Sequence, residues 1–504
     1  MRIPPIVQKS AAIGSVAVLC LCSACGIIQS PESYMRLPKL PAEQEALKTT
    51  IEQSLPAGAV LVRPKTPNRY GTIPVLDLDG DGVKEAVAFY KEQTSSHIIG
   101  EVWKQKPDGG WQMAARLPEE GSSLEELSFQ DLTNDGQIDI AVGTSLSNAQ
   151  PKGLSVYGWD GTNWTAKMKL TYSNWAVGDL NGDGKKDISV ETEKRNGGLT
   201  SSSFTLMQYD GQPVTLGTIE LASGINAVYS MKLGNVAAGR QGVVLDMSVG
   251  AHSSQTQLVV FDQDELKTPL PVERTFKAYS GLSEDADGDG IIEISGMKQP
   301  PGWEQEPMYK IPWIMTYARW DGDKGLIPVM ERYNNLGLGY YFNIPKDWGD
   351  GYTVEIDGEH IVRFVSYPDR KQLAAIRMFS LEEWAQETSD AMQQTPQGSQ
   401  TQENVQEALQ GSASSLSSRE SQLSEMSPPQ SSLAASPPVL AASSSQSQSA
   451  EGTPPAPAAG SAQPDSWQEL ARTSQIVYAI DREHAELRTQ FHLTTETKGE
   501  DDHG

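Results

Sequence analysis

Cysteine is scarce: the 504 residues contain three, Cys20, Cys22 and Cys25. The 504 − 25 = 479 residues that follow contain none, so they can form no internal disulfide and offer no thiol nucleophile. Basic residues are also in deficit, 40 Lys and Arg against 65 Asp and Glu, for a net charge of −25. That sign opposes binding to phosphate backbones and anionic membrane surfaces, and no nucleic-acid partner is expected. Long apolar runs are missing too. The best stretch, Ala11 to Ala24, has the length of a secretory apolar core and is too short for a stable membrane-spanning helix. No G-x-S-x-G, no H-E-x-x-H and no phosphate-binding glycine loop ending in Lys-Ser/Thr occurs. The six histidines, His97, His252, His360, His484, His492 and His503, are scattered without metal-ligand spacing, and His484 and His492 read as one solvated helical face. The expectation is of a protein that is not an enzyme.

What is present begins with an export signal: Arg2 and Lys9 precede the apolar stretch. In Leu21-Cys22-Ser23-Ala24-Cys25-Gly26, small residues lead into a cysteine. This resembles the lipobox of bacterial lipoproteins, with Cys22 in the place where that family usually has Leu. The resemblance implies that residues 1–25 are a signal peptide ending at an acylated Cys25, which holds the chain on the extracytoplasmic face of the bacterial cell membrane. Two acyl chains anchor where one does not, at ~0.8 kcal/mol per buried CH₂. An ordinary secretory signal is the alternative. Residues 26–58 read as a tether with one short helix over Ala42 to Ser54, a cap rather than part of a core.

A repeat governs the next stretch. Asp77-Leu-Asp-Gly-Asp-Gly-Val-Lys-Glu85 recurs as Asp131-Leu-Thr-Asn-Asp-Gly-Gln-Ile-Asp139, Asp179-Leu-Asn-Gly-Asp-Gly-Lys-Lys-Asp187 and Asp285-Ala-Asp-Gly-Asp-Gly-Ile-Ile-Glu293. The steps are 131 − 77 = 54, 179 − 131 = 48 and 285 − 179 = 106, so a fourth member is due near 232; Lys232-Leu-Gly-Asn235 is its degenerate copy. A second phase, aromatic-Asp-Gly, recurs at Trp159, Tyr209 and Trp320, with Phe261-Asp-Gln as a variant. These aromatics are expected to end third strands and pack between sheets. Each unit of about fifty residues reads as four strands between turn signals; in the third unit they are 174–179, 187–192, 202–209 and 214–221. Four strands per unit, repeated, predict a β-propeller over 59–335, five-bladed, or six-bladed if the strand-like 59–63 belongs to a blade of its own.

The acidic segments are not EF-hands. Loop position twelve, where that motif needs a bidentate Glu, is Ala88, Val142, Val190 and Gly296. Each segment runs instead straight into an apolar strand, leaving side-chain oxygens at positions one, three, five and nine and Gly at six to take the turn. Four carboxylates in nine residues repel by ~1 kcal/mol per pair at 4 Å in water and by ~4 kcal/mol at an effective dielectric of 20, a cost that plain Asp-Gly turns do not need and a hard dication offsets. In register and spacing the segments resemble FG-GAP, or VCBS-type, repeats, the calcium-loop blades of integrin α-chain propellers and of many bacterial surface proteins. The resemblance covers about residues 71–334. It implies Ca²⁺ at a first site of Asp77, Asp79, Asp81, the Val83 carbonyl and Glu85; a third of Asp179, Asn181, Asp183, the Lys185 carbonyl and Asp187; and a fifth of Asp285, Asp287, Asp289, the Ile291 carbonyl and Glu293. The second site, Asp131, Asp135, the Gln137 carbonyl and Asp139, is expected to be weaker because Thr133 replaces a carboxylate. Unit four has no site.

Beyond Asn335 the pattern changes. Four strands from Tyr340 to Phe379, then Trp467 onward with a strand at 476–480, read as one α+β domain, 336–384 plus 467–497. Between them, 385–466 has no Phe, Tyr or Trp and reads as a disordered Ser/Gln/Ala/Pro-rich insertion. The expected function is a lipid-anchored, calcium-binding recognition or assembly module with a protein or polysaccharide ligand at the cell surface. One alternative is a five-bladed glycoside-active enzyme using unassigned acids such as Glu126, Glu191, Glu193 or Glu304. The other is a spacer presenting the C-terminal domain.

Overall fold

The computed structural model describes residues 42–494, apart from 68, 93–96, 147–151, 197–198, 359 and 395–466. It is mainly β and divides into two compact units. The first runs to Gln299 and includes Trp313–Asn334; the second holds Pro300–Pro312 and everything from Asn335.

The first unit opens with helix α1 (Ala42–Ser54) and continues as successive antiparallel meanders. Sheet one contains β1 (Val60–Leu61), β2 (Val75–Leu76), β3 (Glu85–Lys91), β4 (Ile98–Gln105) and β5 (Trp111–Pro118). Sheet two is β6 (Ser123–Gln130), β7 (Asp139–Ser145), β8 (Lys152–Trp159) and β9 (Trp164–Tyr172). Sheet three is β10 (Asn174–Gly178), β11 (Asp187–Asn196), β12 (Leu199–Tyr209) and β13 (Pro213–Glu220), within a few residues of the four strands expected from sequence. Sheet four is β14 (Ile225–Ala237), β15 (Arg240–Val249), β16 (Ser253–Asp262) and β17 (Glu265–Lys267). Sheet five follows with β18 (Ile294–Lys298), β19 (Ile314–Trp320) and β20 (Leu326–Asn335), preceded by a single bridge between Glu284 and Glu293.

Side chains alternate across a strand, so each inner strand feeds two cores. Ile140 and Val142 of β7 pack with Val87 and Phe89 of sheet one, while Ala141 between them packs with Ile188 and Val190 of sheet three. Val243 and Leu245 of β15 pack with Phe204 and Leu206 of sheet three, and Val244 with Ile294 and Trp320 of sheet five. Every neighbouring pair among sheets one to five thus shares a hydrophobic core, at roughly 25 cal/mol per Å² of apolar surface buried. First strands also touch laterally. Trp175 Nε1 donates to Glu126 at 2.7 Å and Asn174 Nδ2 to the Val228 carbonyl at 3.0 Å, and Tyr229 OH of β14 reaches the Gly281 carbonyl, ahead of the sheet-five bridge, at 2.9 Å. The turn aromatics behave as expected: Trp159, Tyr209, Phe261 and Trp320 all join these shared cores.

Two expectations fail here. Helix α1 is not a mere cap. Leu47 and Ile51 are buried against Ala86, Ala88 and Trp103, on the face of sheet one that looks away from sheet two. Residues 300–312, read from sequence within the 59–335 domain, belong to the second unit. Trp303 Nε1 donates to the Val354 carbonyl at 2.8 Å and Thr353 Oγ1 to the Pro301 carbonyl at 2.6 Å.

In the second unit β21 (Tyr340–Ile344) pairs with β27 (Phe491–Leu493). A five-stranded sheet runs in the order β22 (Tyr352–Asp357), β23 (Ile361–Ser366), β24 (Gln372–Ser380), β26 (Ile476–Asp481), β25 (Trp467–Arg472). Helix α2 (Leu381–Gln394) packs Trp384 on Phe379 and Trp467. The helix corrects the expected start of disorder at 385, because Ser380 and Glu383 form a reciprocal capping box, Glu383 N to Ser380 Oγ at 3.1 Å and Ser380 N to Glu383 Oε2 at 2.7 Å. The rest of the expected insertion, 395–466, lies outside the described residues, as do Cys25 and the signal segment. His484 and His492 do not share a helical face: His484 pairs with the buried Asp481, and His492 lies in β27, stacked on Tyr341.

Candidate metal centres

The acidic segments join β2 to β3 in sheet one, β6 to β7 in sheet two and β10 to β11 in sheet three, and in sheet five the segment joins the bridging Glu284 to the strand that follows. The four segments share one internal wiring. The first aspartate accepts from the glycine N–H at position six: Asp77 from Gly82 at 3.0 Å, and Asp131, Asp179 and Asp285 from Gly136, Gly184 and Gly290 at 2.9 Å. Position five accepts from the N–H of position seven: Asp81 from Val83 and Asp183 from Lys185 at 2.8 Å, Asp135 from Gln137 and Asp289 from Ile291 at 2.9 Å. Position nine reaches back to the N–H of position two: Glu85 to Leu78 at 2.9 Å, Asp139 to Leu132 at 2.7 Å, Asp187 to Leu180 and Glu293 to Ala286 at 2.8 Å. The chain turns at position six with φ of 85°, 86°, 85° and 85°, where a Cβ would be strained.

Position five is exposed in all four loops, whereas position nine is buried in all four: Glu85 and Asp139 are 1% exposed and Asp187 and Glu293 0%. Burial pushes these last carboxyls up, Asp139 to about 6 and Glu293 to about 7, the latter raised further by Asp287, Asp289 and Asp285. Glu85 and Asp187 move the same way, with burial the main cause. Glu85 Oε1 and Glu293 Oε1 are buried oxygens without a hydrogen-bond donor. Carboxylate oxygens of Asp77, Asp79 and Glu85, and of Asp285, Asp287 and Asp289, lie within 4.8 Å of one another. An acidic, oxygen-only donor set of this kind suits a hard dication. In loop two Thr133 does more than remove a ligand: its hydroxyl donates to Asp139 Oδ1 at 3.2 Å and its N–H to Oδ2 at 2.7 Å, so Asp139 is satisfied internally.

Several residues of these centres carry no local sequence signal. Lys104 faces Glu85 across the β3–β4 ladder, and Gln208 faces Asp187 across β11–β12. One register step beyond Ile294–Ala318 and Ile140–Tyr157 stand Arg319 opposite Glu293 and Gly158 opposite Asp139. Asn134, left-handed at φ 58°, ties loop two to loop three, its Oδ1 accepting from Lys186 N at 2.7 Å. Unit four has no loop: β14 turns into β15 at Gly239, with Ala237 paired to Arg240.

The unassigned acids are engaged in the fold. Glu126 accepts from Tyr172 and Trp175, Glu191 from Asn174 at 3.0 Å, Glu193 from Arg195 at 2.5 Å and Glu304 from Gly302 N at 2.9 Å. Burial raises the carboxyl of Glu191.

No protein-family model matches the chain, and no curated protein matches it. Among solved structures it is similar to the rhamnogalacturonan lyase YesW, at 15% identity over 63% of this chain and 68% of that one, TM-score 0.28. It is also similar to an exo-β-1,3-galactanase from Phanerochaete chrysosporium, at 10% identity over 64% and 76%, TM-score 0.23. A Bacillus licheniformis rhamnogalacturonan lyase matches at 12% identity over 62% and 74%, TM-score 0.21. Likeness at such scores carries no argument about fold or activity.

Proposed function

We propose that the first unit is an FG-GAP/VCBS-type β-propeller of five blades, that its acidic loops bind Ca²⁺, and that the protein is a lipoprotein held through Cys25 at the extracytoplasmic membrane face, where it serves recognition or assembly. The observation that carries the reading is the common wiring of the loops around a buried ninth carboxylate, repeated in four sheets that share cores with their neighbours. Helix α1 covers the face of sheet one that looks away from sheet two. Asp77, Asp79, Asp81 and Glu85, the matching side chains of loops three and five, and more weakly Asp131, Asp135 and Asp139 would hold the ion, with the carbonyls of Val83, Gln137, Lys185 and Ile291. The ion supplies positive charge that offsets the repulsion among carboxylates, and its work is structural. A ligand that binds only the folded state stabilises it by RT ln(1 + [L]/Kd), about 2.7 kcal/mol at a hundredfold excess over Kd. Calcium should therefore raise the unfolding temperature by several degrees and EDTA reverse the rise; a midpoint indifferent to both sinks the metal reading. For the anchor, Cys25→Ser should abolish labelling by radioactive palmitate and release the protein from membranes; unchanged labelling rejects it.

A further inference from the structure

The loops share one wiring but differ in what stands opposite position nine. We propose that this facing residue decides whether a loop closes on an external dication or on a cation supplied by the chain itself, so that Lys104 fills loop one and loop five is the site that most needs the ion. The inference rests on the calcium reading and narrows it: the loop-one carboxylates, counted above among the ion's ligands, are held by Lys104 instead.

In loop one the Lys104 ammonium reaches in from β4. It lies 2.6 Å from Asp79 Oδ2, 2.6 Å from Asp81 Oδ2 and 3.5 Å from Glu85 Oε1, contacting three of the loop's four acidic side chains. A dication there must displace the ammonium or share its oxygens. An ammonium on a flexible four-carbon stem can enter such a cage; a planar guanidinium cannot do so as readily. In loop five the guanidinium of Arg319 accordingly stays at the rim, bonded to Asp289 Oδ2 alone at 2.9 Å. The oxygens of Asp285, Asp287 and Asp289 remain clustered within 4.8 Å, and beside them the fully buried Glu293 keeps Oε1 without a donor. A buried carboxylate oxygen without a donor carries an uncompensated desolvation cost, which a cation brought from outside offsets. Loop three is intermediate. The neutral amide of Gln208 donates to Asp183 Oδ2 at 2.9 Å and Asp187 Oδ1 at 3.1 Å, fixing those carboxylates without cancelling their charge.

Calorimetric calcium titration of the full chain tests this with three variants. Lys104→Gln should add one site, or tighten one by about tenfold, since a unit charge 4 Å from the ligands is worth roughly fivefold in water and far more at a lower effective dielectric. Gln208→Lys should remove one site by placing an ammonium at the equivalent position of loop three. Glu293→Gln should weaken the tightest site by about tenfold or more. Wild type that binds calcium, with Lys104→Gln identical in stoichiometry and affinity, overturns the inference and leaves the calcium reading standing. Wild type and all variants that neither bind calcium nor respond to EDTA overturn both. Should Lys104→Gln fail to fold, Gln208→Lys decides alone, loss of a site supporting the inference and retention of all sites refuting it.

Discussion

Glu119 follows β5 and is buried against sheet two, where its Oε2 accepts from Ser155 Oγ at 3.0 Å and its Oε1 has no donor. Burial, more than any other influence, pushes its carboxyl up to about 7. The folded state therefore holds this proton to higher pH than the unfolded chain, whose carboxyl titrates near ~4.3. The contribution to stability is fully present below the unfolded value and is lost as pH rises through about 7, a loss of roughly 3 to 4 kcal/mol. Glu119→Gln should remove that slope: in urea unfolding the variant should gain on wild type by about 2 kcal/mol between about pH 5 and pH 8, and parallel pH profiles would contradict the assignment. Nothing in the local sequence marks Glu119, since its burial comes from a strand some thirty-six positions further on. Lys104 was illegible for the same reason. Its partners lie 19 to 25 residues upstream, and only the ladder register brings them together. Lys104 itself shows the opposite balance to Glu119. Burial disfavours its charge, but hydrogen bonds to Asp79 and Asp81 and the field of Glu85 outweigh burial and hold the ammonium above its ordinary value.

At the scale of the element, strands of the repeat were readable because two signals agreed: period-two apolar runs and turns at fixed spacing. For helix α2 the signals disagree. The composition after Ala385 argues against ordered structure, yet Ser380-Leu-Glu-Glu383 supplies a capping box that starts the helix and Trp384 anchors it on Phe379 and Trp467. Ser380→Ala removes the side-chain acceptor for Glu383 N and should cost about 1 kcal/mol of helix stability. Faster amide exchange confined to the first turn of α2 is the expected sign; unchanged exchange there would show that the Trp384 contact alone holds the helix.

For the first unit as a whole, α1 supplies the covering that sheet one would otherwise lack on its outer face. Ile51, fully buried among Ala86, Ala88 and Trp103, is central to that contact. Ile51→Ala should cost about 2–5 kcal/mol, the range for emptying a buried aliphatic site. Hydrogen exchange should show the loss as increased opening of β3 and β4; protection there equal to wild type would mean that α1 is dispensable. The sequence places this helix but not its burial, because a helix of this length shows its apolar face without showing what it meets. The hairpin of sheet four carries a different consequence. There β14 runs into β15 through a tight reversal at Gly239, yet the pairing of the two strands and both flanking cores persist. Acidic segments are thus detachable fittings on a frame that stands without them, and such a segment can be added to or stripped from one sheet at a time while the succession of sheets stays intact.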